Sequence, residues 1–430
     1  MIFWTAIDSK EFWTSDRETC TLFCRDDRMR VAVLGGGFQG CCTAVELARR
    51  GARVTLYDRN SILLAGAATA SEGKIHLGYT YASDRSLATA RTLLRGALSF
   101  APLMQRYIDA NVPLAASQPF LYAVHRDSQV QVEDFATYLA ATHSLMDAAA
   151  GRDSYFGIDL RVAPKRLTQA ALESQFDSAY VTAAFDTPEI AIDTIAMAMS
   201  TRRRIVEDPR IEVRTGREIT AVKDDGAHLR VYSTATKSDD ADSDTFNGVV
   251  NALWDGRLVI DATRGVHPGR KWIHRFKHGI RFRLADTANL PSVTIVLGPF
   301  GDVVDYGDGS YYVSWYPACM TAHSQTLSPP AWPTEPDDSL RSRILTESFS
   351  AMGAIIPRLG SVRPENIVVK AGVIVAWGST DIDDHASELH RRSEIGVHSY
   401  GSFHSIDPGK LTMAPHFAEV CADRILSKPA

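Results

Sequence analysis

Three glycines near the start of the chain have the spacing that binds the phosphates of a dinucleotide. Gly35, Gly37 and Gly40 form a GxGxxG motif between an apolar run, RVAVLG, and a segment with helical periodicity. The first glycine permits a tight turn, the second lets the backbone approach a pyrophosphate, and the third lets helix and strand pack closely. Asp58 ends the next apolar run, where a carboxylate can accept hydrogen bonds from an adenosine ribose. The motif predicts a dinucleotide with a free 2′-hydroxyl and does not distinguish FAD from NAD.

A second candidate site is a row of basic residues in the segment RFKHGIRFR. Arg275, Lys277, Arg281 and Arg283 stand at odd positions, so a strand would place all four on one face. Such a row either faces water or lines an anion site, because arginine binds carboxylates through paired hydrogen bonds. Tyr312, in the aromatic segment GSYYVSWYP, belongs either to a wall of that site or to the core. We expect Arg275, Lys277 and Tyr312 to contact the substrate.

The elements that must position these residues follow a β–α–β pattern at the start. RVAVLG and ARVTLYD have the character of buried strands, and the helix between them ends at Gly51. A second helix is predicted with Ser83 or Asp84 as its cap. A third is predicted in FDTPEIAIDTIAMAMSTRRRIV, with Thr187 as its cap and Pro188 at its first position. Strands separated by turns then indicate an antiparallel sheet further along the chain.

Four segments resemble the D-amino-acid-oxidase-like flavoproteins, which include glycine and sarcosine oxidases, L-2-hydroxyglutarate oxidases and glycerol-3-phosphate dehydrogenases. In chain order they are VLGGGFQGCCTAVELARRGARVTLYDR, SEGKIHLGYTYASDRSL, the pair DPRIEVRTGREITAV and GVVNALW, and DPGKLTMAP. The resemblance implies that the dinucleotide is FAD. It also implies the residues that bind FAD: Gly35, Gly37, Phe38, Gln39, Gly40, Asp58, Arg59, Gly73, Lys74, Ile219, Ala252, Gly409, Lys410, Leu411 and Thr412.

The same resemblance implies two candidates for chemistry beside the flavin, and position in the chain adds a third. His76 occupies the motif in which the hydroxy-acid oxidases place a histidine, and histidine suits proton removal near neutral pH. A structural role for His76, or a covalent link to the flavin, stays open. The backbone N–H groups of Lys410, Leu411 and Thr412 would begin a helix that faces the flavin, and Lys410 would help to stabilise the reduced anion. A plain exposed turn is the alternative. His404, six residues before Lys410, is the third candidate.

The predicted fold class is α/β, and a length of 430 residues leaves room for two domains. One is a Rossmann-like FAD-binding domain with a parallel central sheet. The other is an inserted α+β substrate domain with a mostly antiparallel sheet. We assign residues 1–28 to an N-terminal extension, residues 29–84, 160–265 and 378–430 to the FAD-binding domain, and residues 85–159 and 266–377 to the substrate-binding domain.

Composition narrows the class of partner. The formal net charge is −5 and no basic block is present, which argues against nucleic acid. No apolar run approaches the ~18 residues of a membrane span, and no secretory signal is visible. The six cysteines form no CxxC pair, as is usual in a reducing compartment, so we expect a cytoplasmic protein. No HExxH or CxxC pattern is present, and no metal is expected.

These observations predict an FAD-dependent oxidoreductase. It would remove hydride from a C–N or C–O bond of a small polar, carboxylate-bearing substrate to flavin N5. An amine or amino acid needs only a neutral amine, whereas a 2-hydroxy acid needs a base such as His76, and both stay open. The expected partners are this substrate and an electron acceptor, either oxygen or another. The alternatives are a flavoprotein hydroxylase, for which no second GxGxxG is available to bind NAD(P)H, and a flavoprotein without catalysis.

Overall fold

The computed structural model describes residues 29–149, 151–285, 290–384 and 387–427. Within them, ten α-helices accompany twenty strands. The helices are α1 (Phe38–Arg49), α2 (Ala88–Tyr107), α3 (Val132–Ala148), α4 (Gln169–Gln175), α5 (Thr194–Val206), α6 (Arg257–Thr263), α7 (Tyr316–Cys319), α8 (Asp338–Ile355), α9 (Pro357–Ser361) and α10 (Ala414–Leu426).

The strands range from two-residue pairs to the long β13 and β18. They are β1 (Arg30–Leu34), β2 (Arg53–Asp58), β3 (Lys74–Ile75), β4 (Phe120–His125), β5 (Lys165–Arg166), β6 (Val181–Asp186), β7 (Ile190–Ala191), β8 (Ile211–Thr215), β9 (Arg217–Asp225), β10 (His228–Ala235), β11 (Ala241–Phe246), β12 (Gly248–Asn251), β13 (Trp272–Arg283), β14 (Ser292–Val296), β15 (Gly301–Asp305), β16 (Ser310–Trp315), β17 (Met320–Ser324), β18 (Glu365–Trp377), β19 (Gly396–Tyr400) and β20 (Phe403–Asp407).

A six-stranded sheet carries the glycine motif. Its order is β19-β20-β12-β1-β2-β8, and all neighbours are parallel except the β19–β20 pair. Val31 to Leu34 of β1 are fully buried, as expected for a strand covered on both faces. Helices α1 and α10 pack against each other beside this sheet, and α2 packs against α10. Strands β9, β10 and β11 form a separate antiparallel sheet.

A second large sheet has nine strands and is mostly antiparallel. Its order is β17-β13-β16-β15-β14-β4-β6-β5, with β18 paired to the other side of β13. Only its β14–β4 pair is parallel among the described strands. Helices α7 and α8 pack on β16. Together the two sheets confirm the predicted fold class, a parallel nucleotide-binding sheet joined to a mostly antiparallel one.

Two helix starts differ from the sequence-based predictions. Helix α5 begins at Thr194, and the Asp193 carboxylate caps it by accepting the N–H of Ile195 at 2.8 Å. The predicted cap, Thr187, instead donates its hydroxyl to the Phe120 carbonyl at 2.8 Å, so it is held at the edge of a strand.

Helix α2 also begins later than predicted from Ser83 or Asp84 as its cap. The helix begins at Ala88, and Asp84 reaches it from a preceding turn by accepting the N–H of Thr89 at 2.9 Å.

Strands β5 and β6 lie in the nine-stranded sheet, although residues 160–265 were assigned to the FAD-binding domain. No helix in the part of the chain that the structure describes is long and apolar enough to cross a membrane.

Candidate functional site

The glycine loop between β1 and α1 is shaped by contacts that a side chain would disrupt. Gly35 has a φ of +100°, and a Cβ there would lie 2.6 Å from the Ala252 carbonyl oxygen. A Cβ on Gly40 would lie 1.7 Å from the Gly35 carbonyl oxygen. Gly37, by contrast, has no described atom within 4 Å of its Cβ position and borders a large cavity. The loop therefore leaves open space at the helix N-terminus, where a phosphate fits.

Asp58, at the end of β2, stabilises this loop through hydrogen bonds. Its Oδ2 accepts the Gly36 N–H at 2.7 Å, and its Oδ1 accepts the backbone and side-chain N–H groups of Asn60 at 2.7 and 2.9 Å. A carboxylate offers about four acceptor positions, so one remains for a ligand hydroxyl. Arg59 is paired with Asp255, with 2.7 Å between its Nη2 and Oδ2. Asp58 thus supports the loop and also borders the cavity.

The cavity has a volume of about 840 Å³ and runs from the glycine loop to the nine-stranded sheet. That volume is typical of a site for a large ligand. Two residues predicted to bind FAD, Gly40 and Thr412, do not line it. Thr412 lies behind the wall, where its Oγ1 accepts the His76 N–H at 2.9 Å. The predicted cofactor residues that do line the cavity are Gly35, Gly37, Phe38, Gln39, Asp58, Arg59, Gly73, Lys74, Ile219, Ala252, Gly409, Lys410 and Leu411.

His76 lies in the cavity wall directly after β3. Its Nδ1 is 3.5 Å from Glu189 Oε1, and the Glu189 side chain is fully buried. Glu189 also accepts the Leu77 N–H at 2.6 Å and the Tyr122 hydroxyl. Burial lowers the pKa of His76, while Glu189 opposes that shift. Nδ1 makes no hydrogen bond among the described residues, and Glu189 is the carboxylate beside it. An imidazole protonated on Nδ1 would carry its lone pair on Nε2, which suits a proton acceptor.

Lys410 lies at the turn after β20. Gly409 has a φ of +58°, and the Lys410 N–H donates to the Pro408 carbonyl at 2.5 Å. The N–H that was predicted to face the cofactor is therefore engaged within the turn. A short 3-10 helix, Leu411–Met413, follows and leads into α10.

The ammonium group of Lys410 has an unusual environment. Burial lowers its pKa to about 7, and the charges of Arg392, Arg275 and Lys74 act in the same direction. Glu72 opposes the shift without forming an ion pair with Lys410 in the described part of the chain. A lysine in this state is neutral for a large fraction of the time near pH 7, so it can accept a proton.

The basic row on β13 divides into two parts. Arg275 and Lys277 line the cavity above the Tyr316 ring, at 5.3 and 5.1 Å from its centre. Arg281 instead pairs with Asp193 at 2.9 Å, and Arg283 is exposed. The pairing of β13 with β18 shifts in register between Arg281 and Arg283, and neither residue lines the cavity. The row is thus neither entirely solvated nor entirely part of the site.

Both cavity-lining members of the row already have carboxylate neighbours. Arg275 Nε lies 3.1 Å from Asp381 Oδ2, and Lys277 Nζ lies 3.9 Å from Asp302 Oδ2. Asp302 also accepts from Lys74 Nζ at 2.9 Å. Consequently these cations are partly neutralised by the protein itself.

Tyr312 borders the cavity and is almost fully buried. Its neighbour Tyr311 points to the other side of β16 and stacks on Phe282, with ring centres 5.4 Å apart. The alternation of a strand therefore places one tyrosine in the site and the other in the core.

The structure does not bring His404 into the cavity. It lies within β20, and its Nδ1 is 2.9 Å from Ser399 Oγ on β19. The cavity is reached only beyond the end of this strand, at Pro408 and Gly409. His404 thus links two strands and, contrary to the prediction, does not line the cavity.

Several residues of the cavity wall were not predicted. Tyr81, His390 and Arg392 line it together, and Trp254 closes another side by donating its Nε1–H to the Val373 carbonyl at 2.7 Å. Lys74 was predicted, but its ammonium is engaged by Asp302 and Thr294. Tyr81 and Trp254 lie in segments that carry the family resemblance, but no spacing marks their side chains, and only the fold brings them to one cavity with His390 and Arg392.

Comparisons with known proteins agree with this geometry. A family model for FAD dependent oxidoreductases matches residues 30–424. No curated protein sequence matches the chain. Glycine oxidase from Geobacillus kaustophilus has a similar structure, with a TM-score of 0.67 and 13% identity over 94% of this chain and 96% of that one. L-proline dehydrogenase from P. horikoshii has a TM-score of 0.64 and 16% identity over 93% of each chain.

A third similar structure contains the cofactor. L-alpha-glycerophosphate oxidase from Mycoplasma pneumoniae, solved with FAD bound, has a TM-score of 0.64 and 15% identity, covering 94% of this chain and 96% of that one. At these identities the likeness shows the fold, while the family match spans both sheets and the whole cavity. The predicted resemblance and the predicted FAD cofactor are confirmed. The chain belongs to the family of FAD dependent oxidoreductases and is a flavoenzyme of the D-amino-acid-oxidase-like superfamily.

Proposed function

We propose that this flavoenzyme oxidises a C–N or C–O bond of a small polar substrate that carries a carboxylate. The observation that supports it most directly is the charge of the cavity wall around Lys410. Arg275, Arg392 and Lys74 are all near enough to lower the pKa of Lys410, and Lys277 lines the same cavity. Asp302, Asp381 and Glu72 offset part of this positive charge, but these four cations outnumber the three acids. The remaining positive charge favours an anionic ligand.

The glycine loop and its surroundings would hold the cofactor. The open space at Gly37 and the N-terminus of α1 suit the pyrophosphate, and Asp58 retains an acceptor for a ribose hydroxyl. Bound there, FAD would supply the hydride acceptor for oxidation of the substrate. The remaining tasks, which are binding, orientation and removal of a proton, fall to the side chains of the cavity wall.

Two residues are suited to the proton. Neutral Lys410 can accept it from a substrate ammonium or hydroxyl group, because its pKa is about 7. His76 is the alternative, since burial lowers its pKa and Glu189 lies beside Nδ1, which leaves Nε2 as the nitrogen that can accept the proton. An amine substrate needs only to lose its ammonium proton, whereas a hydroxy acid needs a base in contact with its hydroxyl.

The names of the structural relatives are consistent with oxidation of a C–N bond and with oxidation of a C–O bond. Glycine oxidase and L-proline dehydrogenase are named for amino acids, and L-alpha-glycerophosphate oxidase for a phosphate ester of an alcohol. All three substrates are anionic at one end. The electropositive wall of this cavity fits that shared property and does not select between nitrogen and oxygen.

Anaerobic flavin reduction tests the proposal. The purified FAD-loaded protein is mixed with amino acids, secondary amines and 2-hydroxy acids, and the loss of flavin absorbance is followed. We expect bleaching with at least one carboxylate-bearing class and none with the corresponding esters or amides. Bleaching only by NAD(P)H would favour a hydroxylase, and bleaching by an uncharged substrate alone would refute the role of the electropositive wall.

A matched pair of variants sharpens the test. Arg275→Met removes a cation from the cavity, and Arg283→Met removes an exposed cation from the same strand. Loss of a charge-assisted contact should raise the substrate concentration needed for half-maximal bleaching by about tenfold in the first variant. The second variant should behave as wild type.

A further inference from the structure

Part of the cavity wall is apolar and is used neither by the predicted cofactor site nor by the proposed function. It consists of Leu297, Phe300, Ile382 and Leu389, all of which line the cavity, and we call these four residues the apolar lobe. Three of them are almost fully buried, and Ile382 is partly exposed. The lobe therefore presents apolar surface to any ligand that reaches this part of the cavity.

The four residues are held together by contacts outside the cavity. The Gln129 N–H donates to the Leu297 carbonyl at 2.8 Å, and the Gln129 Nε2 donates to the Ile382 carbonyl at 2.8 Å. Ile382 also packs against the small apolar cluster that contains Leu389. Phe300 follows Leu297 within the short bend between β14 and β15. The lobe is therefore one preformed surface, although its members come from distant segments.

The backbone groups of the lobe are engaged by the protein itself. The Leu297 N–H donates to Ser128 Oγ at 2.8 Å, and the Phe300 carbonyl accepts the Tyr316 N–H at 2.8 Å. Together with the two bonds from Gln129, these contacts mean that the lobe meets a ligand with hydrocarbon side chains. A polar group placed there would lose its hydrogen bonds to water without replacement. Each buried methylene, by contrast, gains about fourfold in affinity.

The apolar lobe borders the cations of the cavity wall. The Leu389 carbonyl accepts the Arg392 Nε–H at 3.1 Å, so the two residues are in direct contact. Ile382 directly follows Asp381, whose Oδ2 lies 3.1 Å from Arg275 Nε. A ligand whose charged end faces these cations can therefore extend an apolar end into the lobe.

We infer that the apolar lobe holds the side chain of the substrate, which is therefore an amino acid or 2-hydroxy acid with a branched aliphatic or aromatic side chain. This inference rests on the proposed function and names the substrate class within it. The polar end of the substrate faces the cations, and its side chain lies against the four residues of the lobe. Selection then follows from apolar burial, because a small side chain leaves the lobe uncovered and a charged one loses its hydration.

Unreactive carboxylates of increasing length test the lobe separately from the reaction. Acetate, butanoate and hexanoate are titrated into the purified FAD-loaded protein, and each affinity is read from the perturbation of the flavin spectrum. We expect binding to tighten about fourfold per added methylene, or roughly 10²-fold from acetate to hexanoate. Equal affinities for the three compounds in the wild type would overturn the inference, because the lobe would then be covered by the cofactor or closed to ligands.

Variants of the lobe extend this test. Ile382→Asn, at the partly exposed position, should weaken hexanoate binding by about tenfold and leave acetate binding unchanged, so that acetate reports correct folding of the same protein. Val368→Asn alters an exposed apolar residue of β18 outside the cavity and should leave both affinities unchanged. A wild-type ratio of hexanoate to acetate affinity in both Ile382→Asn and Leu389→Ala would overturn the inference.

Failure of the proposed function gives a different result, which the matching amides reveal. Acetamide, butanamide and hexanamide are titrated in the same way. Amides that bind as tightly as the carboxylates and gain affinity with length would support the lobe and refute the preference for an anionic substrate. Carboxylates that bind more tightly than amides without any gain in length would support the function and refute the lobe.

Flavin reduction tests the substrate class directly. Leucine or 2-hydroxy-4-methylpentanoate should bleach the flavin at a concentration at least about tenfold lower than glycine or glycolate, because the side chain adds several buried carbon atoms. Bleaching by glycine, glycolate or aspartate alone would overturn the inference. If no compound bleaches the flavin, the series of carboxylates and amides still decides whether the lobe binds apolar groups.

Discussion

His76 Nδ1 lies 3.5 Å from Glu189 Oε1, and both side chains are buried. Glu189 reaches this position from the segment before β7, where the same carboxylate accepts the Leu77 N–H and the Tyr122 hydroxyl. The imidazole is therefore held between a fixed carboxylate and the cavity. Its orientation depends on a residue far from it in sequence, which makes Glu189 the positioning residue for His76.

Replacement of Glu189 should affect both stability and His76. Glu189→Gln keeps an acceptor for the Leu77 N–H but removes the charge that supports His76. We expect the free energy of unfolding in urea to fall by about 1–3 kcal/mol. The pKa of His76, which Glu189 raises, should fall further in an NMR titration. Exposed Glu133→Gln serves as control and should change stability by less than about 0.5 kcal/mol. Equal stability of both variants would contradict this account.

The pH dependence of flavin reduction should identify the base. If neutral Lys410 accepts the proton, the limiting rate of anaerobic reduction rises with pH through about 7, where Lys410 loses its charge. Activity is then present above the pKa and lost below it. Lys410→Met should remove this limb and slow reduction by about 10²–10⁴-fold.

If His76 is the base, the pH dependence of flavin reduction should differ. Burial lowers its pKa, so a limb due to His76 would lie below the ordinary histidine value and persist in Lys410→Met. Exposed Lys223→Met is the control for loss of a positive charge and should retain the wild-type profile. A limb near 7 that survives in Lys410→Met would exclude Lys410 as the base.

Two glycine substitutions should separate cofactor binding from folding. A Cβ on Gly37 enters open space beside the cavity, so Gly37→Ala should fold normally and bind FAD about tenfold more weakly. A Cβ on Gly40 meets the Gly35 carbonyl at 1.7 Å, so Gly40→Ala must separate α1 from β1. Melting of the FAD-free proteins, together with FAD titration, tests both expectations. Similar melting temperatures for the two variants would refute the distinction.

His404 provides a negative test. Because it pairs with Ser399 away from the cavity, His404→Asn should reduce flavin within about twofold of the wild-type rate, equivalent to ~0.4 kcal/mol in the barrier. Any effect should be on thermal stability. His76→Asn, measured in parallel, should slow reduction if His76 acts on the substrate. A slower His404→Asn enzyme with unchanged melting would restore His404 to the site.

Local signals explain what could be predicted from the sequence. The GxGxxG loop was recognisable because its glycines, strand and helix are neighbours in the chain, and their roles depend on backbone geometry. The start of α5 was misplaced because Thr187 and Pro188 imitate a cap. The Thr187 hydroxyl is engaged by the Phe120 carbonyl, a contact that no local pattern reveals. Asp193 is the residue that caps α5. The sequence does not favour it over Thr187 unless the contact between Thr187 and Phe120 is known.

The candidate site was harder to predict because its residues come from distant segments. Tyr81 lies five residues after His76 and Arg392 is far along the chain, so only the fold brings both to the wall of one cavity. Alternation along β13 correctly grouped Arg275 with Lys277 but could not reveal the acidic neighbours of each. Whether a buried charge has a partner is visible only when every surrounding group has been placed, which makes it a property of the structure alone.

The amide of Gln39, in the first turn of α1, donates to the Ala414 carbonyl at the start of α10 at a distance of 3.2 Å. The two helices that meet there are separated by nearly the entire described chain, and they pack closely. A growing polypeptide can therefore assemble the β1–α1–β2 unit early but cannot close the site until residues 414–426 have been synthesised. We therefore expect FAD to bind after α10 has been synthesised, because a chain interrupted before α10 would carry the dinucleotide motif without the helix that packs on α1.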